Sequence, residues 1–385
     1  MTIKGSSWAR QFFCIALFST LCIGCNPTPQ SAPKTNPVST PTPAPTTFSN
    51  SRIEYLGQVK FPTGLEFENT QIGGLSGITY DPERNLYYAI SDDRALTGPA
   101  RFYTLTIDLD PLQVTPTAVT VLLSQDNTPF ASYRLDPEGI ALSKRDSFFI
   151  SSEGDVNRNI PPFIKEFNRE GKAINTLPIP DKFLPGERQG IRNNLAFESL
   201  TLTRSDRLLY TATESALVQD GAEANPEAGS PIRILQYNLI EGKPVGEFLY
   251  MTEPVLNPPK TPEAFSINGV VELLAVDETK LLSLERGFTE EIGNRILLYE
   301  VDLSEATDIR QIESLGDRDL NGIQLAEKKL LLDLQDLPIA LDNIEGMTWG
   351  PDLADGRRSL ILISDNNFNP LQVTQVLAFA IAPPK

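Results

Sequence analysis

Four glutamates recur inside the same short β-like phrase: Pro137-Glu138-Gly139-Ile140, Phe197-Glu198-Ser199-Leu200, Val271-Glu272-Leu273-Leu274 and Ile344-Glu345-Gly346-Met347. A fifth copy, Leu75-Ser76-Gly77-Ile78, has serine in the acid's place. Each phrase is followed by a second apolar run that ends on an acid: Asp92, Glu153, Glu214, Glu285 and Asp365. Carboxylates brought within about 4–6 Å of one another raise each other's pKa unless a cation sits among them. An all-oxygen set of this kind suits Ca²⁺, which takes about six to eight hard ligands, better than zinc or copper. Glu138, Glu198, Glu272, Glu345, Asp92, Glu214 and Asp365 are therefore the candidate metal ligands, and Ca²⁺ is the candidate cofactor. Arg94, Arg134, Arg192 and Arg286 lie close in sequence to these acids. Their planar forks match phosphate and carboxylate oxygens alike. In a hydrolytic reading, Glu153 or Glu285 accepts the proton of an activated water, and Arg134 or Arg286 steadies the developing oxyanion. In a structural reading, the same arginines pair with the glutamates and lock neighbouring units together.

The remaining chemistry is narrow. The 385 residues contain no histidine, which excludes Ser-His-Asp and Cys-His catalysis and His-ligated zinc. The three cysteines, Cys14, Cys22 and Cys25, are confined to the N-terminus, so no thiolate or disulfide serves the rest of the chain. A formal charge of −17 disfavours nucleic acid as a partner. Neither Asp136-Pro137-Glu138-Gly139 nor Asp342-Asn343-Ile344-Glu345-Gly346 has EF-hand spacing. Gly73-Gly74-Leu75-Ser76-Gly77 leads into no helix and is no nucleophile elbow.

The acids need a frame that repeats. From about residue 51 onward, short runs of Val, Ile, Leu, Tyr, Phe and Thr alternate with turns rich in Asp, Asn, Gly and Pro, and sustained helical periodicity is missing. The runs group in fours, with one phrase opening each group, and the last group is one strand short. Ile53–Val59 belongs to no group and has the length to complete it. This pattern predicts an all-β fold, a β-propeller of five blades closed by an N-terminal strand. Six blades follow instead if residues 303–335 hide a degenerate unit. In a propeller the first strand of each blade lines the central channel, so the repeated acids converge at its mouth.

The phrases Asp136-Pro137-Glu138-Gly139-Ile140 with Ser151-Ser152-Glu153, Asn194-Leu195-Ala196-Phe197-Glu198 with Thr213-Glu214-Ser215, and Asn343-Ile344-Glu345-Gly346-Met347 with Ser364-Asp365-Asn366 resemble the phytase-like family, described as "esterase-like activity of phytase". The resemblance covers most of residues 53–380. It implies a β-propeller, frequently exported, with phosphoesterase or esterase activity on a small-molecule ester or phosphate ester.

The N-terminus reads as an address. Lys4 and Arg10 precede an apolar stretch, Phe12 to Ile23, that ends in Gly24-Cys25. Cys22-Ile23-Gly24-Cys25 resembles a bacterial lipobox, with Cys25 as the lipidated residue. Residues 1–24 are then a signal peptide, 25–50 a Pro/Thr-rich tether, and 51–385 the propeller. The expected location is the cell envelope, on the periplasmic or extracellular side, held to the membrane through the lipid alone, as a monomer. Two further readings stay open: a non-catalytic propeller binding a ligand or protein, with acidic clamps or a structural Ca²⁺, and a sugar-lactone hydrolase.

Overall fold

The computed structural model describes residues 53–382 apart from 262 and 317, all within one compact unit, Ser39–Lys385. The expected signal peptide, Cys25 and the tether lie outside the described residues. Twenty-two strands and three single-turn 3₁₀ segments make up the regular structure among the described residues. No helix there is long and apolar enough to cross a membrane.

Strand β1 (Ile53–Pro62) is followed by a small hairpin, β2 (Glu66–Phe67) with β3 (Thr70–Gln71). Blade I comprises β4 (Leu75–Asp81), β5 (Leu86–Ser91), β6 (Arg101–Leu109) and β7 (Leu112–Val121). Blade II has β8 (Pro137–Ser143), β9 (Ser147–Ser152), β10 (Phe163–Asn168) and β11 (Ala173–Leu177). Blade III has β12 (Thr201–Leu202), β13 (Leu208–Ala212), β14 (Pro231–Asn238) and β15 (Lys243–Met251). Blade IV has β16 (Ser266–Ala275), β17 (Lys280–Thr289), β18 (Gly293–Asp302) and β19 (Glu327–Asp333). Blade V has β20 (Asn343–Asp352), β21 (Arg358–Asp365) and β22 (Val373–Ile381), with β1 as its outer strand.

Each blade is an antiparallel meander, and the ring closes as expected. β1 pairs with β22 from Ile53 opposite Ile381 to Pro62 opposite Val373. The inner strands pack in sequence, β4 on β8, β8 on β12, β12 on β16, β16 on β20 and β20 back on β4. Five apolar clusters fill the spaces between successive blades. The alternation of side chains along each strand places one apolar row on each face of the blade, so every blade contributes to two interfaces. At about 1.5–3 kcal/mol per buried large apolar side chain, these interfaces hold the ring together. The described residues of 303–326 contain no strand. They lie along the outer edge of blade III, with Ile309 N donating to Glu247 O and Ala326 N to Leu249 O, both at 2.8 Å, and they add Ile309 and Leu315 to a small cluster on Leu249. The blade count is five.

Candidate metal centre at the channel mouth

The inner strands meet the channel through a shared irregularity. In blade I the register slips between Leu75 and Gly77, in blade V between Ile344 and Gly346, and in blade II between Pro137 and Ile140. A bulge inserts one unpaired residue and turns its side chain out of the ladder. The bulged residues are Ser76 in blade I and Glu345 in blade V, and Glu138 lies within the slip of blade II. Blade III reaches the same geometry without a regular strand: Phe197 bridges Thr213, and Glu198 follows Phe197. In blades I, II and V a glycine follows the bulge and lets the neighbouring blade approach closely. A Cβ on Gly77 would stand 2.5 Å from Glu138 O.

The second residue of each pair sits opposite the position two before the bulge. Asp92 N donates to Gly74 O, Glu153 N to Asp136 O and Glu214 N to Ala196 O, at 2.6, 3.0 and 2.7 Å. Asp365 faces Asn343 in the same way. Blade IV departs from the expected alignment by one residue. Its register slips between Val270 and Glu272, which makes Val271 the bulged residue, and the partner of Gly269 is Arg286. The channel positions are therefore Ser76, Glu138, Glu198, Val271 and Glu345, followed by Asp92, Glu153, Glu214, Arg286 and Asp365. A Cβ on Gly269 would lie 2.4 Å from Glu214 Cγ, so glycine lets blade III's acid lean across to Arg286.

Four expected residues thus stand apart from the mouth, each for a local reason. Glu272, one residue beyond the bulge, points between blades, where its Oε1 accepts from Leu200 N at 3.2 Å and Leu273 N at 2.9 Å. Glu285, one residue before Arg286, is fully buried on blade IV. It accepts from Tyr250 OH at 2.6 Å, Lys328 Nζ at 2.7 Å, Glu253 N at 2.7 Å and Asn268 Nδ2 at 2.9 Å. Arg134 lies exposed in the loop before β8. Arg192 is committed to backbone carbonyls of Ala216 and Gly221. The other candidates converge: Asp92, Glu138, Glu198, Glu214, Glu345, Asp365 and Arg286 all line one cavity of about 710 Å³, with Glu153 buried beside them.

The converging acids divide into two halves. On one side, Glu138, Glu153 and Glu198 each offer an oxygen within 4.8 Å of the others, and Asp92, Asp136 and Glu138 do the same. Oxygens on one ion at about 2.4 Å stand no farther apart than that. Glu153 Oε1 accepts from Ala196 N, whereas its Oε2 is buried without a hydrogen-bond partner. A buried carboxylate oxygen left bare is costly, and a cation among these acids relieves it. The donor set is oxygen throughout, which fits Ca²⁺ or Mg²⁺ and not a soft metal. On the other side, Arg286 Nη2 lies 3.0 Å from Glu345 Oε1 and 3.3 Å from Glu214 Oε1, with Asn343 Nδ2 adding a bond to Glu345 at 2.9 Å. That half carries its own counterion.

Burial sets the electrostatics. It pushes Glu138, Glu198, Asp92 and Asp365 well above the usual carboxylate range, and neighbouring acids push them further. Glu153 rises to about 8 through burial and the charge of Asp136, offset in part by the amide of Ala196. Glu214 rises to about 7 through burial, with Arg286 pulling it back down. Glu345 is also raised by burial, against the same guanidinium.

Sequence reasoning passed over Asp136 as a site member, and named Arg94 only as a possible partner of the acids. Asp136, whose carbonyl bonds Glu153 N, also brings its carboxylate to the metal-like half, where Arg94 grips it by Nε and Nη2, each at 2.6 Å. The signal for Asp136 was its place two residues before the bulge. Arg94, two residues after Asp92, also bonds Asn194.

A family model described as "Phytase-like: Esterase-like activity of phytase" matches residues 70–368. An uncharacterized secreted protein of Arthroderma benhamiae is 28% identical over 130 residues, covering 27% of this chain and 24% of that protein, so the match spans about a quarter of that relative. The periplasmic gluconolactonase PpgL of Pseudomonas aeruginosa superposes with a TM-score of 0.36 at 11% identity, covering 88% of this chain and 98% of that one.

Proposed function

The chain belongs to the phytase-like family, and from that premise we propose a divalent-cation-dependent hydrolase of carboxylic or phosphate esters acting at the channel mouth. The observation that carries the reading is the bare, buried Oε2 of Glu153 among the oxygens of Glu138 and Glu198. Glu138 and Glu198 would hold the cation, with Asp92 and Asp136 as further oxygen donors. A bound divalent ion supplies Lewis-acid polarisation and lowers the pKa of water. Glu153, beside these residues, would take up the proton released at the mouth. Arg286 acts as a positioning residue, holding Glu214 and Glu345 away from the cation with two charge-assisted contacts. Asp365 completes the lining on the Arg286 side.

Initial rates on a panel of carboxylic and phosphate esters, with Ca²⁺ or Mg²⁺ and with chelator, test this reading. Turnover that the chelator abolishes and Glu138→Gln removes supports it; a panel without chelator-sensitive turnover overturns it. The second reading is a non-catalytic binding propeller. The satisfied Glu272 and Glu285 favour it, since repeated acids there serve the blades. It predicts that a cation raises the melting temperature while no ester is turned over. We also propose export and lipid anchoring through Cys25, supported by the lipobox-like Cys22-Ile23-Gly24-Cys25 and the proline-rich stretch after it. Transfer of the Cys25→Ala chain from the membrane to the soluble fraction is the expected result.

A further inference from the structure

We propose that the channel mouth selects uncharged carboxylic esters bearing an apolar group and rejects phosphate polyanions. This rests on the hydrolytic reading above and narrows its substrate. The first observation is charge. Eight carboxylates line the cavity: six from the ring, with Glu223 and Asp342 at the rim. Arg286 is the one basic side chain lining it among the described residues, and Glu214 and Glu345 already occupy its Nη2. Arg94, nearby, is committed to Asp136 and Asn194. A phosphate oxygen has to compete with a carboxylate at Nη2 of Arg286 and with Asp136 and Asn194 at Arg94. With all eight ionised, Arg286 and a single divalent ion offset three of these charges, and protonation of some acids weakens the field that is left. Protein of low dielectric around the cavity strengthens the field against a polyanion.

The second observation is an apolar wall on the same cavity. Blades IV and V present Phe265, Ile267, Phe288, Leu341 and Leu371 to it. Leu371 is 91% exposed and Phe265 57% exposed, and the rings of Phe265 and Phe288 stand 6.2 Å apart. Large apolar side chains gathered at the rim of a concave polar site mark a ligand's apolar portion, whereas the same residues scattered over a surface mark nothing. A neutral ester meets both demands: its carbonyl oxygen approaches the metal-like half, and its apolar group covers the wall. In the reaction, water oxygen bonds to the acyl carbon and the acyl C–O bond breaks. The alcohol leaves with one proton of the water, and the carboxylate product releases the other to solvent.

The test uses the full chain with Ca²⁺. Rates are compared for 4-nitrophenyl acetate, butyrate and octanoate, 4-nitrophenyl phosphate and inositol hexakisphosphate. Calorimetry measures binding of two unreactive analogues, N-(4-nitrophenyl)acetamide and N-(4-nitrophenyl)butanamide. Two added methylenes tighten binding or lower KM by about tenfold, the phosphates are neither bound nor turned over, and Phe265→Ser and Leu371→Ser each flatten the chain-length series. Both side chains are exposed, so their replacement leaves the fold intact, which thermal melting checks. Binding without chain-length dependence, a series unchanged in both variants, or preference for a phosphate overturns the inference. Chain-length-dependent amide binding with no ester turnover keeps the inference and removes the hydrolytic reading instead.

Discussion

Replacing Arg286 with methionine is the most informative single change to the acid ring. The guanidinium is largely buried against Glu214 and Glu345 at 3.3 and 3.0 Å. Even with it present, Glu214 rises from an ordinary 4.5 to about 7, so ionising that one group in the native state costs about 3 kcal/mol. A folded-state pKa above the unfolded one means that the native state binds the proton more tightly. Stability from this group is therefore highest at low pH and falls as pH rises from the unfolded value through the folded value. Removing Arg286 raises the folded values further and extends that loss to higher pH. We expect a destabilisation of about 3–5 kcal/mol at pH 8, the cost of stranding a buried charge. At pH 5, below the value of about 7 for Glu214, the loss should shrink to about 1–2 kcal/mol of lost hydrogen bonding. Urea unfolding in chelator at the two pH values measures both. Equal losses at pH 5 and pH 8, or a loss under about 1 kcal/mol at pH 8, refute the assignment of Arg286 as the ring's internal counterion.

Three other outcomes follow from the same geometry. With chelator, the wild-type chain should be more stable at pH 5.5 than at pH 8.5, because Glu153 and Glu214 are raised to about 8 and about 7; Ca²⁺ should narrow that gap, as melting curves at both pH values will report. Glu272→Gln keeps an Oε1 acceptor for Leu200 N and Leu273 N, so its Ca²⁺-induced rise in melting temperature should match wild type, while Glu198→Gln abolishes the rise. Tyr55→Ala on β1 removes the ring packed 5.5 Å from Phe379 and should cost about 3–5 kcal/mol by chemical denaturation, since it loosens the strand that closes the ring.

The blades were legible in sequence because strand alternation and turn residues repeat with the phrase, and because a strand left over at the start matched one missing at the end. The site was legible only in part. Glu-Gly after an apolar residue marks the bulge in blades II and V, where glycine permits the close approach of the next blade. Blade IV has no such mark: Val271 occupies the bulge, and Glu272 beside it takes the eye. The clue was an interval. Glu272 and Glu285 lie 13 residues apart (285 − 272), against 15 for Glu138 and Glu153 (153 − 138) and 16 for Glu198 and Glu214 (214 − 198). Val271 and Arg286 restore the spacing to 15 (286 − 271). The interval marks Arg286 as the blade IV position where the other four blades place an acid, but not the acids it pairs with, because those contacts form only in the closed ring. The same applies to Asp136, which looked like a flank of Glu138 and reaches the cluster only because the bulge turns the strand.

The central claim is that a divalent cation belongs to the half of the mouth formed by Asp92, Asp136, Glu138, Glu153 and Glu198, and not to the half that Arg286 neutralises. Calorimetric titration of Ca²⁺ into chelator-stripped protein at pH 8 tests it most directly, with Glu138→Gln and Glu345→Gln run beside the wild type. The account predicts saturable binding that Glu138→Gln abolishes and Glu345→Gln retains. Absent binding in the wild type, or equal loss in both variants, contradicts it.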